Sequence, residues 1–441
     1  MTTKQLTVLF VPLDGFGHIN SCVGVAEQLL ARGHRVVFAL ERAWKGKASA
    51  YRGIEEVHFT DPTRDPAHGA NDHWIQYMEE FKPSFQLAPI DKYRLKALNR
   101  DLEESFLYTL MNVDDQLVEI INSLLPDAIV VDTYVTIPAV HKSAIPWVWL
   151  TSAAPLVCLP SENLPPHGTG YPTDGDRSEW TEFRQLEEAW LAPSGARFAA
   201  RLQKEFGIEP PAEGVMLPSP YLNMYAYPIE LDERYLQIRP LPEKWRRFEH
   251  FIRTTERSDS FSIPQSFLDG SPGQLVYVSM GSMGCACLTL MRRLIEILSR
   301  SPNRFIFSLG PYAAQLQPLP ANMWGDRFVP QTAVLPLVSL VISHGGNNTT
   351  LEALYHGSPL LICPLFGDQH DNRQRVTEAG LGDGVANPYK CPPEELLEKV
   401  DRLLSDGQLR ERIQTVSRRL QASKSTEKAA IAIEKVALLP N

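Results

Sequence analysis

The sequence predicts an α/β protein of two or three domains built on parallel sheets, and two stretches carry that prediction. The first starts with an apolar run from Leu6 to Pro12. A Gly-rich turn follows, then a helical pattern from about Asn20 to Arg32 closed by Gly33, and a second apolar run from Arg35 to Leu40. The second stretch begins at Ser339 and breaks at His344-Gly345-Gly346-Asn347-Asn348. It resumes as a helix that Gly357 and Pro359 can end, and passes into an apolar run from Leu360 to Phe366. Strand, Gly-rich turn, helix and strand is the unit of a parallel sheet, whose ligands gather at the carboxyl ends of its strands. At 441 residues the chain has the length for more than one such core.

Composition narrows the function classes. With 44% hydrophobic and 22% charged residues the chain reads as soluble and globular. Its formal charge of −9 argues against a surface that attracts nucleic acid or anionic lipid. The six cysteines, at 22, 158, 285, 287, 363 and 391, have neither the spacing of a zinc site nor the density of a disulfide scaffold. The first apolar run is too short for a signal peptide, and no stretch approaches the roughly 20 apolar residues that span a bilayer. A cytoplasmic monomer with no membrane or nucleic-acid partner is the expectation.

The turn after the first strand supports two readings. Gly15-Phe16-Gly17, with Glu41 at the end of the second strand, partly imitates a dinucleotide fingerprint, although Asn20 stands where its third glycine belongs. His18 supports the other: an imidazole at the ligand-binding edge titrates near neutrality and can take a proton from a hydroxyl. A histidine in a turn is also an ordinary capping or solvated residue. Pro126 to Asp132 reads as another buried strand, which puts Asp132 on the same edge as His18, where a carboxylate orients an imidazole. It equally suits the cap of a following helix.

Residues 42 to 122 and 151 to 225 are rich in proline, histidine and aromatics without steady periodicity, and read as long functional loops. Trp74, Phe85 and Trp149 are candidates to line an apolar cleft, though each is also a plausible core residue. Charged, proline-rich sequence from Leu236 to Asp269 reads as the region of a linker, placed near its beginning.

The His344 turn is suited to an anion. Paired glycines let the backbone approach a ligand, and the unpaired amides at the start of the following helix favour phosphate. The G-x-x-x-x-G-K-[ST] pattern is missing, so no lysine is expected on terminal phosphates. Asn348 and Thr349 are good helix caps, and Thr349-x-x-Glu352 has the form of a capping box. Asp368 and Gln369 end a strand with a carboxylate and an amide, groups that can hydrogen-bond a polar ligand.

His344, Gly346, Asn348, Thr349, Glu352, Asp368 and Gln369, preceded by Pro330-Gln331, resemble the donor-binding signature of the UDP-dependent glycosyltransferases. This inverting family of the GT-B fold glycosylates small lipophilic acceptors. The resemblance covers Phe328 to Asn372. More weakly, GFGHIN at 15 to 20 resembles the family's G-H-x-x-P segment, with Ser21 in place of the proline, and Ser279-Met280-Gly281-Ser282 resembles its S-x-G-S loop.

The resemblance implies two Rossmann-like lobes facing across a cleft: residues 1–238 binding acceptor, 239–415 binding UDP-sugar with the linker at their start, and 416–441 as a helix packing back on the first lobe. It implies a catalytic pair, His18 as base and Asp132 as its partner. Ser282, His344, Gly346, Asn347, Asn348 and Thr349 would surround the diphosphate, Phe328 and Val329 the uracil, Glu352 the ribose, and Asp368 and Gln369 the sugar, with Gly17 and Gln331 as further UDP-sugar contacts. No cofactor and no metal ion is implied. UDP-glucose is the first donor to expect, with flavonoids, phenols or other xenobiotics as acceptors and detoxification as the role. Three positions depart from the pattern: Phe328 stands where many members stack a tryptophan on uracil, Asn347 replaces another tryptophan, and Pro336 a histidine. A sugar-nucleotide epimerase or phosphorylase, and a non-catalytic sugar-nucleotide sensor, are the alternatives on the same fold.

Overall fold

Parallel strands organise both halves of the chain in a computed structural model that describes residues 4–439 except 66, 68, 71, 100–106, 213, 256–261 and 270–272, and omits the side chains of 73, 74 and 77. The first sheet contains β1 (Thr7–Pro12), β2 (Arg35–Glu41), β3 (Ile54–Phe59), β4 (Ala128–Asp132), β5 (Trp147–Thr151), β6 (Leu222–Ala226) and β7 (Trp245–Phe248). They lie in the order β3-β2-β1-β4-β5-β6-β7. The second contains β8 (Leu275–Ser279), β9 (Arg304–Ser308), β10 (Met323–Asp326), β11 (Leu340–Ser343), β12 (Leu360–Ile362) and β13 (Gly382–Gly384), in the order β10-β9-β8-β11-β12-β13. Helices cover both faces, so central strands are near-continuous apolar runs; β4, β5, β6 and β8 are buried along their whole length.

Each sheet has one point where the strand order changes direction, between β1 and β4 in the first lobe and between β8 and β11 in the second. The connecting loops diverge there and leave a crevice at the carboxyl edge. Register sets the loops at a common level: Pro12 pairs with Asp132, and Ser279 with Ser343. The Gly-rich turns therefore emerge beside the strand ends that carry their partners.

Three sequence readings need correction. The first helix is Phe16–Ala31, starting earlier than read, because Gly15 takes an extended N-cap conformation and His18 falls in the first turn. The segment 151 to 225 contains a 29-residue helix, Ser178–Phe206, whose buried Trp180 and Phe183 are separated from Phe198 and Leu202 by a mixed stretch that includes Pro193. That interruption hid the periodicity. Strand β7 belongs to the first sheet, so the lobe boundary lies beyond Phe248 and not at 238. The final helix, Ser425–Ala437, packs on Phe16–Ala31, where Glu434 meets Arg32 and lies 2.8 Å from His34 Nε2. Among the described residues no helix is long and apolar enough to cross a membrane.

Candidate active site

Neighbouring strands bring the sequence's two acid-base candidates together. His18, in the helical turn after β1, sets Nδ1 3.1 Å from Oδ1 of Asp132, the last residue of β4. Ser152, one residue beyond β5, touches both: its hydroxyl oxygen is 3.1 Å from His18 Nδ1, and its amide donates to Asp132 Oδ1 at 3.2 Å. The carboxylate side chain is 0% exposed and its Oδ2 has no hydrogen-bond partner, while the imidazole is 13% exposed. A buried carboxylate attracts a positive charge beside it more strongly than a solvated carboxylate would. With Nδ1–H turned to the acid, Nε2 keeps the lone pair needed by a base.

Tyr134 stands edge-on to His18 with ring centroids 5.3 Å apart. Burial, reinforced by the charge of Asp132, pushes its phenol well up, so it stays protonated. The dinucleotide reading of Glu41 loses support here: its carboxylate accepts the Ala43 amide at 2.7 Å and stands 3.8 Å from Arg64.

The donor half grows from β8 and β11. Gly281 and Gly345 adopt left-handed φ angles of +72° and +84°. The His344 ring fits between glycines: a Cβ on Gly281 would come 2.5 Å from its Cε1, and one on Gly346 2.5 Å from its Nε2. Burial pushes His344 down to about 4, against a hydrogen bond with the Ser279 backbone, and leaves Nδ1 buried without a partner. It is a neutral donor at pH 7. Gly346 caps the helix Asn347–His356, whose first turn carries no acidic residue to compete for its amides. Ser282 is exposed on the facing helical turn Gly281–Gly284.

Glu352 does not close a capping box. The helix has no side-chain cap, and the carboxylate turns instead to Arg253 Nη1 at 2.6 Å and Gln331 Nε2 at 2.6 Å. Gln331 also reaches Thr349 Oγ1 at 3.3 Å. Phe328 is 50% exposed and its neighbour Val329 is buried, so a half-open ring borders this side. A narrow gap open to solvent lies between Asn20 and Ser21 of the first lobe and Asn348, Leu351 and Glu352 of the second.

Several donor-half side chains bridge the lobes. Asn347 Nδ2 donates to the carbonyls of Ser152 at 2.9 Å and Ala226 at 3.3 Å. Asn348 donates to the Gly17 carbonyl, and Asp368 Oδ2 accepts the Ala154 amide at 3.0 Å. Burial raises the Asp368 carboxyl. Gln369 turns Oε1 onto the amides of Leu365 and Phe366, which fixes the loop before its own helix. Sequence reasoning missed Asn372, which donates to the Gly345 carbonyl at 2.8 Å and accepts the Tyr227 hydroxyl at 2.8 Å. It also missed Ser152 and Arg253. For Ser152 there was a signal, a hydroxyl ending an apolar strand on the edge shared with Asp132.

The aromatic candidates fare differently. Phe85 is 2% exposed and stacks on Phe366 with centroids 5.7 Å apart, a wedge between lobes. Trp149 is a core residue whose indole donates to the Thr133 carbonyl at 3.0 Å and packs edge-on against Trp245. Neither forms an open wall, because their strand and turn point them into packed interfaces. The side chain of Trp74 lies outside the described residues. The ring beside His18 is Tyr134.

The family described as UDP-glucoronosyl and UDP-glucosyl transferase matches residues 265–436. Demethyllactenocin mycarosyltransferase of Streptomyces fradiae is 26% identical over 98% of this chain and 86% of its own. The glycotransferase of kitacinnamycin superposes with a TM-score of 0.69 at 21% identity, covering 99% of this chain and 100% of that one. Glycosyltransferase VinC, solved in complex with DTDP, superposes with a TM-score of 0.65 at 16% identity over 98% and 99%. With two facing parallel-sheet lobes and the donor signature inside the matched segment, the chain is a glycosyltransferase of the GT-B fold whose residues 265–436 match the UDP-glucoronosyl and UDP-glucosyl transferase family.

Proposed function

We propose that the protein transfers a hexose, glucose in the first instance, from a UDP-sugar to a hydroxyl of a small lipophilic acceptor such as a phenol or flavonoid, with inversion. The reading is of a cytoplasmic enzyme that needs no cofactor or metal ion. The observation that carries it is His18 held 3.1 Å from a fully buried Asp132 at the edge that faces the donor helix. His18 Nε2 takes the acceptor proton as the hydroxyl oxygen attacks the anomeric carbon. The bond from that carbon to the diphosphate oxygen breaks on the opposite face, and its electron pair leaves with UDP. Amides of the Asn347–His356 helix start, neutral His344 and the Ser282 turn stabilise the departing charge. Asp368 and Gln369 meet the sugar hydroxyls.

A thymidine diphosphate sugar is the second reading. Both Glu352 oxygens are engaged by Arg253 and Gln331, which weakens the case for recognition of a ribose 2′-hydroxyl, and VinC was solved with DTDP. The test is nucleotide release from UDP-glucose and TDP-glucose with a panel of phenolic acceptors, run beside His18→Ala and acceptor-free reactions. Acceptor-dependent release of UDP that disappears in His18→Ala is the expected result. Full turnover in that variant refutes the base, release without acceptor points to a hydrolase, a new UDP-hexose without release points to an epimerase, and preference for TDP-glucose selects the second reading.

A further inference from the structure

We propose that Ser152 is the positioning residue that holds His18 in its proton-accepting tautomer, a role that rests on the assignment of His18 as base. Three bonds converge on this one residue. Its hydroxyl oxygen lies 3.1 Å from His18 Nδ1, its amide donates to Asp132 Oδ1 at 3.2 Å, and its carbonyl accepts Asn347 Nδ2 at 2.9 Å. Ser152 is 7% exposed and sits one residue beyond β5, a strand paired in register with β4. The hydroxyl is thus presented by a rigid strand end, fixed on one side to the acid and on the other to the donor helix.

The chemistry follows from the sharing of Nδ1–H. Asp132 Oδ1 already accepts the Ser152 amide, so it holds the imidazole with an oxygen in divided use, and with the Nδ1 proton that the carboxylate calls for, the serine hydroxyl is a second acceptor for the same N–H. Two acceptors at Nδ1 disfavour the tautomer with its proton on Nε2, which cannot act as a base. They also favour the imidazolium formed when the acceptor loses its proton. The other titratable groups around this centre are Asp132, Tyr134, Asp368 from the second lobe, and Cys22, whose thiol is pushed well up by burial and Asp132. Of the groups contacting Nδ1, only the Ser152 hydroxyl can be deleted without removing a charge.

Ser152→Ala removes the hydroxyl alone, since the contacts to Asp132 and Asn347 use main-chain atoms. The expected result is a kcat about tenfold lower, the loss of one hydrogen bond to a developing charge, with the KM for UDP-glucose unchanged. The acidic limb of the kcat/KM profile moves to lower pH, because a base that has lost an acceptor holds its proton less tightly. Ser152→Thr, which keeps the hydroxyl, restores both. Wild-type kcat and an unmoved limb in Ser152→Ala, with His18→Ala inactive, overturn the Ser152 role and leave the base standing. A loss of kcat with an unmoved limb and no rescue by threonine also overturns it, as a packing effect. Full turnover in His18→Ala overturns the base and this role together.

Discussion

Asn348 Nδ2 donates to the Gly17 carbonyl at 2.6 Å, and Asn348 Oδ1 accepts the Ser21 hydroxyl at 2.7 Å, so one amide clamps the first helix of one lobe to the donor helix of the other. In the proposed function the donor diphosphate binds at the start of the second of these helices. Asn348→Ala deletes two bonds worth about 1 kcal/mol each. We expect a several-fold rise in the KM for the donor and a smaller fall in kcat. Asn348→Asp keeps the bond to Ser21 but sets a carboxylate against the Gly17 carbonyl and the incoming phosphates, and should be worse. An aspartate variant with wild-type donor KM would rule out the clamp.

Arg253 and Glu352 form a buried pair, with side chains 6% and 4% exposed. Removing one partner strands the other's charge out of water, which costs about 3 kcal/mol. Arg253→Met should therefore lower the urea midpoint sharply, and Arg253→Met combined with Glu352→Gln should recover most of the loss. Such non-additivity is the mark of a coupled pair. Additive losses would show that the two act separately. UDP titration of Glu352→Gln decides whether the carboxylate also meets ribose, through a raised Kd.

The strands and the donor signature were legible in the sequence because buried parallel strands are short apolar runs, and Gly-rich turns mark where they end. His18 and Asp132 were placed on one edge by that logic alone, and the register of β1 with β4 brings them together. Residues that act across the lobes were not legible. Nothing in the local sequence of Asn347 tells that it reaches the Ser152 and Ala226 carbonyls, or that Glu352 ignores its capping geometry for Arg253, 99 positions away. The aromatic assignments failed for a related reason: Trp149 and Phe85 have the composition of a cleft, but their strand and turn set them in packed interfaces.

Asp14 lies at the carboxyl edge of the first lobe with Glu41 and Asp61, all around Arg64, whose nearest contact to Asp14 is 2.9 Å. Burial raises the Asp14 carboxyl to about 6, even against the attraction of Arg64. The folded state then holds a proton that the unfolded state releases near 3.8, so this group's contribution to stability falls as pH rises from about 4 to about 6 and stays low above. Asp14→Asn escapes that loss. It should be more stable than wild type by about 3 kcal/mol at pH 7.5, with the difference nearly gone at pH 4, as read by urea unfolding at the two pH values. A difference that does not change with pH would refute the raised carboxyl.

Gly281 has no room for a side chain because the His344 ring occupies the position of its Cβ, 2.5 Å from Cε1, and its φ of +72° disfavours any other residue. Gly281→Ala must therefore displace the imidazole from the diphosphate turn, besides straining the backbone by about 1 kcal/mol. We expect UDP affinity to fall at least tenfold while the fold persists, since the loop lies at the cleft edge. His344→Ala alone should lose similar affinity, as it removes the neutral N–H donor. The double variant separates the causes. If Gly281→Ala acts through the ring, then adding it to His344→Ala costs only the backbone strain and little further affinity; if the two losses of binding multiply, Gly281 contacts the nucleotide independently and the packing account of this turn is wrong.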